Sequence, residues 1–149
     1  MNGPRRPITG QSLTELALLL PILAMLMVGA IDLGRIFYTK VVVANSARVA
    51  AEYAVNPNIL RANGDDLTAA QNSVKQRAID EASPFITLDV GDVSFNGTFQ
   101  PNTKYTVTVT TYFVPITPLI GQLFASNPVV VSHSVELRHN CTASSGCSY

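Results

Sequence analysis

The sequence predicts an α+β protein suspended from one long N-terminal helix, and three observations carry that prediction. Between Glu15 and Asp32 no side chain is charged, so residues 16–31 form an unbroken apolar run. Residues 65–82 place apolar side chains at helical spacing. Residues 105–113 and 129–138 instead alternate with the two-residue period of a strand that has one buried face. The chain then divides into a leader (1–10), an N-terminal transmembrane and stalk helix (11–55) and an extracytoplasmic α+β domain (56–149).

The apolar run is the organising element. Its sixteen residues cover about 24 Å as a helix, slightly less than the roughly 30 Å hydrocarbon core of a bilayer. Six leucines with Ile22, Val28 and Ile31 favour insertion by on the order of 4 kcal/mol together, most of which a single central charge would cancel. Leu33, Ile36, Phe37 and Tyr38 extend the apolar surface, because Arg35 can lay its methylenes along lipid and lift its guanidinium to the headgroups. Pro21 removes a helix hydrogen bond inside the span and is expected to kink it, and Ala30 with Gly34 permits close helix contact.

No proline follows until Asn56-Pro57, so the helix is expected to run from Ser12 to Val55, about 65 Å. Its outer half would stand in water as a stalk. Ala44, Ala47, Ala51 and Ala54 form a small-residue stripe there, for the chain's own sheet or for another subunit, while Asn45, Arg48 and Glu52 point elsewhere. Residues 56–63 read as a surface connection, and Asp65 or Asp66 as the cap of a helix to Ala82 that buries Leu67, Ala70, Val74, Ala78 and Ala82. Ser83-Pro84 ends it. Short strands are expected at 85–90 and 93–95, with a turn at Asn96-Gly97. The long strands 105–113 and 129–138 should pair antiparallel. Pro115 and Pro118 break the first, and residues 119–124 read as an apolar loop or short helix.

At 149 residues the chain has room for one anchor and one small domain. Ten Lys and Arg balance ten Asp and Glu, and beyond Arg5-Arg6 no basic cluster invites nucleic acid. Cys141 and Cys147 near the C-terminus suit a disulfide in an oxidising compartment, whereas a lone C-x5-C lacks the paired ligands of a zinc site. His133 and His139 lack companion metal ligands. Asp89-Val-Gly-Asp92 and Gly64-Asp65-Asp66 fit turn and cap chemistry better than a calcium loop. With no phosphate-binding glycine loop and no nucleophile elbow, neither an enzyme nor a cofactor is expected.

The leader completes the pattern. Arg5 and Arg6, with no acid, hold the N-terminus in the cytoplasm and send the domain outward. Pro4 and Pro7 keep it extended, and Gly10 offers a protease an unhindered backbone. Ser12-Leu13-Thr14-Glu15 fits a helix capping box.

The array Gly10-Gln11-Ser12-Leu13-Thr14-Glu15-Leu16-Ala17-Leu18-Leu19-Leu20-Pro21, followed by Gly29-Ala30-Ile31-Asp32-Leu33-Gly34-Arg35-Ile36-Phe37-Tyr38, resembles the TadE-like pseudopilins of tight-adherence (Tad) type IV pili. The resemblance implies a pilin-like fold, with the long helix packed on a small antiparallel sheet beside a second short helix. It also implies cleavage between Gly10 and Gln11 by a prepilin peptidase, and use of Glu15 to recognise a neighbouring subunit. The implied partners are that peptidase, other pilin subunits, an assembly platform in the inner membrane and membrane lipid. A charge reason supports the role of Glu15. At the brink of lipid an unpaired charge costs several kcal/mol, so the carboxylate favours the free amine of an adjacent subunit. The alternative is an exported binding domain: Val28-Gly29-Ala30 also satisfies signal peptidase, which would cut after Ala30 and release a soluble protein.

Overall fold

The computed structural model describes residues 9–56, 58–99, 103–117 and 128–138. Helix α1 (Thr9–Ala54) is followed by one turn of helix, α2 (Ile59–Ala62), and by α3 (Leu67–Ala82). Strands β1 (Val93–Asn96), β2 (Lys104–Phe113) and β3 (Val129–Arg138) form an antiparallel sheet in the order β1-β2-β3. The expected α+β, pilin-like arrangement is present. The 46 residues of α1 extend about 69 Å, roughly twice a hydrocarbon core.

Among the described residues, packing against α1 is confined to its outer half. That half lies against α3 and against β2 and β3, burying Val42, Val43, Ala47, Ala50, Ala51 and Ala54. The alanine stripe is thus filled by the chain's own sheet and by α3, whose Ala70, Val74, Ala78 and Ala82 face the same core. Small side chains on both helices let their backbones approach closely, and the sheet supplies the bulk through Val93, Tyr105, Val107 and Val109. Asn45 Nδ2 donates to Glu81 Oε1 at 2.9 Å and ties α1 to α3 at the rim. Val107 stands opposite Val135, and Val93 opposite Val109, which sets every inward side chain of the sheet on the helix side.

Local chemistry explains most boundaries. Asp66, in extended backbone, accepts from the N–H groups of Thr68 (2.8 Å) and Ala69 (3.3 Å), so of the two candidate aspartates it is the cap of α3. Leu67, expected in the core, stays exposed because it belongs to the first turn, ahead of the buried face. Gly64 and Asp65 take φ of 68° and 61° just before that cap. The connection at 56–63 contains α2, which buries Ile59. Residues 85–90 do not form the expected strand. The Phe85 and Ile86 N–H groups both donate to the Ala82 carbonyl oxygen at 2.9 Å, the Asp92 N–H closes a 3-10 turn on the Asp89 carbonyl oxygen, and Asp92 Oδ2 accepts from the Asp89 N–H, so these donors are lost to a ladder. Helix α1 begins at Thr9, three residues before Ser12, so the Ser12–Glu15 box lies inside the helix and not at its boundary. Ile36 was expected to face lipid; it packs on the core instead, because the domain begins to cover α1 there.

Gly97 occupies a position only glycine fills easily. Its φ is +149°, and a Cβ there would stand 2.9 Å from Tyr105 Cδ1 and 3.0 Å from the Lys104 carbonyl oxygen. Tyr105 cannot yield readily, since it is buried among Phe95 and Phe99, whose rings stack with centroids 5.0 Å apart. Gly97→Ala is therefore expected to destabilise the domain by about 1–3 kcal/mol, read as a lower thermal midpoint of the detergent-solubilised chain. An unchanged midpoint would show that the turn relaxes freely.

Candidate functional site

The site is built from the residues of α1 on either side of the point where the domain begins to cover it. Below that point the helix is bare. Leu13, Leu16, Leu18, Leu19, Leu20, Ile22, Leu23, Leu26 and Met27 are all exposed, with Leu18 at 72%. A water-soluble chain does not leave such a continuous apolar cylinder uncovered, and α1 is long and apolar enough to cross a membrane. Pro21 lies within this bare stretch, and the helix continues through it.

Asp32, the first charge after the run, is completely buried. Its Oδ2 accepts two hydrogen bonds of 2.7 Å, one from the Thr117 N–H and one from Thr117 Oγ1. Arg35, one helical turn on, donates from Nη1 to Oδ1 at 3.3 Å. A buried carboxylate is tolerable only when such donors replace its water, and three do so here. The pair latches the segment after β2 onto the helix at the edge of the apolar run. The Arg35 guanidinium also lies over the Phe113 ring, 5.0 Å from its centroid, so its stem packs against the domain while its side chain stays half exposed.

Beside the latch runs an open groove of about 630 Å³. Ile31, Gly34, Arg35 and Tyr38, spaced along one helix face, form one wall, while the 85–87 segment and the end of β2 form the other. Tyr38 meets Phe85 edge to face, at 5.9 Å and 82°.

The residues singled out for processing and assembly lie at the opposite end of the span. Gly10, exposed and with open space around its Cα, is in the first turn of α1, where backbone N–H groups lack intrahelical acceptors. Gln11 is the next helical residue, and Glu15 is exposed one turn later. Glu15 and Asp32, seventeen positions apart in one helix, are separated by about 25 Å along its axis. Cys141, Cys147 and His139 lie outside the described residues, as do residues 119–124. Half-buried His133 sits in β3 opposite Val109, and no group of three His, Cys, Asp or Glu that could hold a metal occurs among the described residues.

The family model for TadE-like proteins matches residues 10–52. This segment is TadE-like. The match covers the bare apolar run, the Asp32–Arg35 turn and nearly all of the stalk. No curated protein and no solved structure matched the chain. Within the TadE-like segment, the roles of Asp32 and Arg35 escaped sequence reasoning. An aspartate and an arginine at helical i, i+3 spacing at the end of an apolar run were the available signal, but their partner Thr117 is 85 residues from Asp32.

Proposed function

We propose that the protein is a pilin-like structural subunit, cleaved between Gly10 and Gln11 by a prepilin peptidase and held in the membrane by α1 until it enters or caps a Tad-type pilus. The observation that carries this reading is the division of one continuous helix. Its first half is apolar and bare, and its second half is the spine of a folded domain. A lipid bilayer and then the interior of a filament are two surroundings that would cover the bare half. The Arg5-Arg6 leader supports a cytoplasmic N-terminus and an outward domain. Glu15, on this reading, recognises the amine of a neighbouring subunit, and the assembly platform of the inner membrane is a further partner. The role is structural and not catalytic.

Release after Ala30 fits the fold poorly. It would cut inside a continuous helix and leave the buried Asp32 second from a new terminus, with its latch at a fraying end. The decisive measurement is N-terminal sequencing of the mature protein. The expected start is Gln11, and loss of Arg5 and Arg6 takes the net charge from zero (ten minus ten) to −2 (eight minus ten). A start at Ile31 would overturn the pilin reading.

A further inference from the structure

We infer that the groove beside Arg35 binds the headgroup phosphate of an anionic phospholipid on the side of the membrane where the domain lies. The inference rests on α1 being a membrane anchor and goes beyond it by assigning a ligand to a particular cavity.

Position comes first. Ile31 ends the apolar run and also begins the groove wall. Arg35, four residues further on, stands about 6 Å above it, and the headgroup layer on each side of a bilayer is roughly 5–7 Å deep. The groove mouth therefore lies at the level of lipid phosphates. Its surroundings suit that level, since Tyr38, Phe85 and Tyr112 are exposed around it, and Val114 and Ile116 present apolar side chains just beyond β2. Aromatic side chains with one apolar and one polar end concentrate at this interface.

Charge decides the ligand. Among the described residues the groove lining has one cation, Arg35, no carboxylate, and hydroxyls from Thr87 and Thr111, while the Thr39 hydroxyl is already donated to the Arg35 carbonyl oxygen at 2.9 Å. Asp32 does not consume the arginine. Its Oδ2 is engaged by Thr117, and Arg35 reaches Oδ1 through one nitrogen at 3.3 Å while its side chain remains 48% exposed. A guanidinium has five N–H donors, and with one of them given to Asp32 and the group placed over Phe113, others are left for a phosphate. A groove of about 630 Å³ is of the size that holds a small polar ligand.

The test uses the full chain, purified in a non-ionic detergent, stripped of lipid and titrated with phosphatidylglycerol or phosphatidylcholine of equal acyl length, with retained lipid counted by native mass spectrometry. Both lipids carry the phosphodiester, but the trimethylammonium of phosphatidylcholine would stand beside the like-charged Arg35, so phosphatidylglycerol should be held about tenfold more tightly. Arg35→Gln should abolish that preference. So should Val114→Glu, which places a carboxylate at an already exposed rim position and leaves the latch untouched; Arg48→Gln, on the stalk, should retain it. Equal retention of the two lipids by the wild type would overturn the inference, as would undiminished preference in both groove variants. Displacement of phosphatidylglycerol by millimolar inorganic phosphate would reassign the groove to free phosphate. A chain that stays monomeric without detergent would instead remove the membrane reading, and the inference with it.

Discussion

Asp32→Ala is expected to unlatch the segment after β2 from the stalk and to give the largest loss of stability of any single substitution at the junction. The change deletes the acceptor of both Thr117 donors and of Arg35. It leaves a buried N–H and a buried hydroxyl without partners, and a cavity at a site with no solvent access. Thr117→Val provides the scale. It removes the hydroxyl donor and keeps the shape and the backbone N–H, so it should cost about 1.5–3 kcal/mol, the range for a hydrogen bond to a charged group. Asp32→Ala should lower the thermal midpoint by at least about twice as much as Thr117→Val, because breaking one side of a buried charged cluster strands all the others. Asp32→Asn should fall between them, since it retains an acceptor oxygen but loses the charge. The measurements are thermal melting in detergent and limited proteolysis, with new cleavage expected near residues 114–117. An Asp32→Ala protein that melts with the wild type and resists cleavage there would mean that the latch holds nothing.

Glu15→Gln is expected to abolish most entry into filaments while leaving the folded domain intact. Glu15 is exposed at the membrane-inserted end of α1, about 25 Å from the latch, so its replacement should not change the melting of the domain. If its carboxylate meets the ammonium of a neighbouring mature subunit at the edge of lipid, neutralising it strands that cation in a poor solvent. That costs several kcal/mol and lowers incorporation by two orders of magnitude or so. If it served only to cap a helix, glutamine would replace it at a cost of a few tenths of a kcal/mol. Because α1 of the full chain starts before Ser12, capping has no boundary to act on until Gly10 is removed. On the proposed reading the peptidase recognises Gly10, so processing is expected to continue. Glu15→Gln and Glu15→Ala should be compared for cleavage, membrane level and content in sheared surface filaments. Incorporation at the wild-type level by both variants would reject the assembly role.

The two effects place different functions at the two ends of the bare helix. On the proposed reading, assembly chemistry would lie at the cytoplasmic edge of the span and mechanical coupling at the outer edge, where force along a filament would pass from α1 into the sheet. The Asp32–Thr117 bonds and the Arg35–Phe113 contact are the connections at that outer edge.

What could be read directly from the residues was whatever depends on neighbours in sequence. An uncharged run long enough for a bilayer, a glycine and a glutamate before it, an aspartate ahead of a helical repeat and two alternating strands are local patterns. Hydrophobic periodicity and cap chemistry act over a few residues, so these elements stand where they were expected, from α3 to the pairing of β2 with β3. The strand expected at 85–90 is absent for an equally local reason: the Phe85 and Ile86 N–H groups are taken by the end of α3, and the Asp89 N–H by the Asp92 carboxylate. The role of Asp32 could not be read in this way. A charge at the end of an apolar helix looks like a simple boundary with water, and only the path of the chain through β2, returning Thr117 to the helix, turns it into a buried acceptor. The same return brings the end of β2 and the 85–87 segment against one face of α1, and so creates the groove beside Arg35. Such contacts depend on sheet register and on the packing of helix against sheet, which no short stretch of sequence encodes by itself.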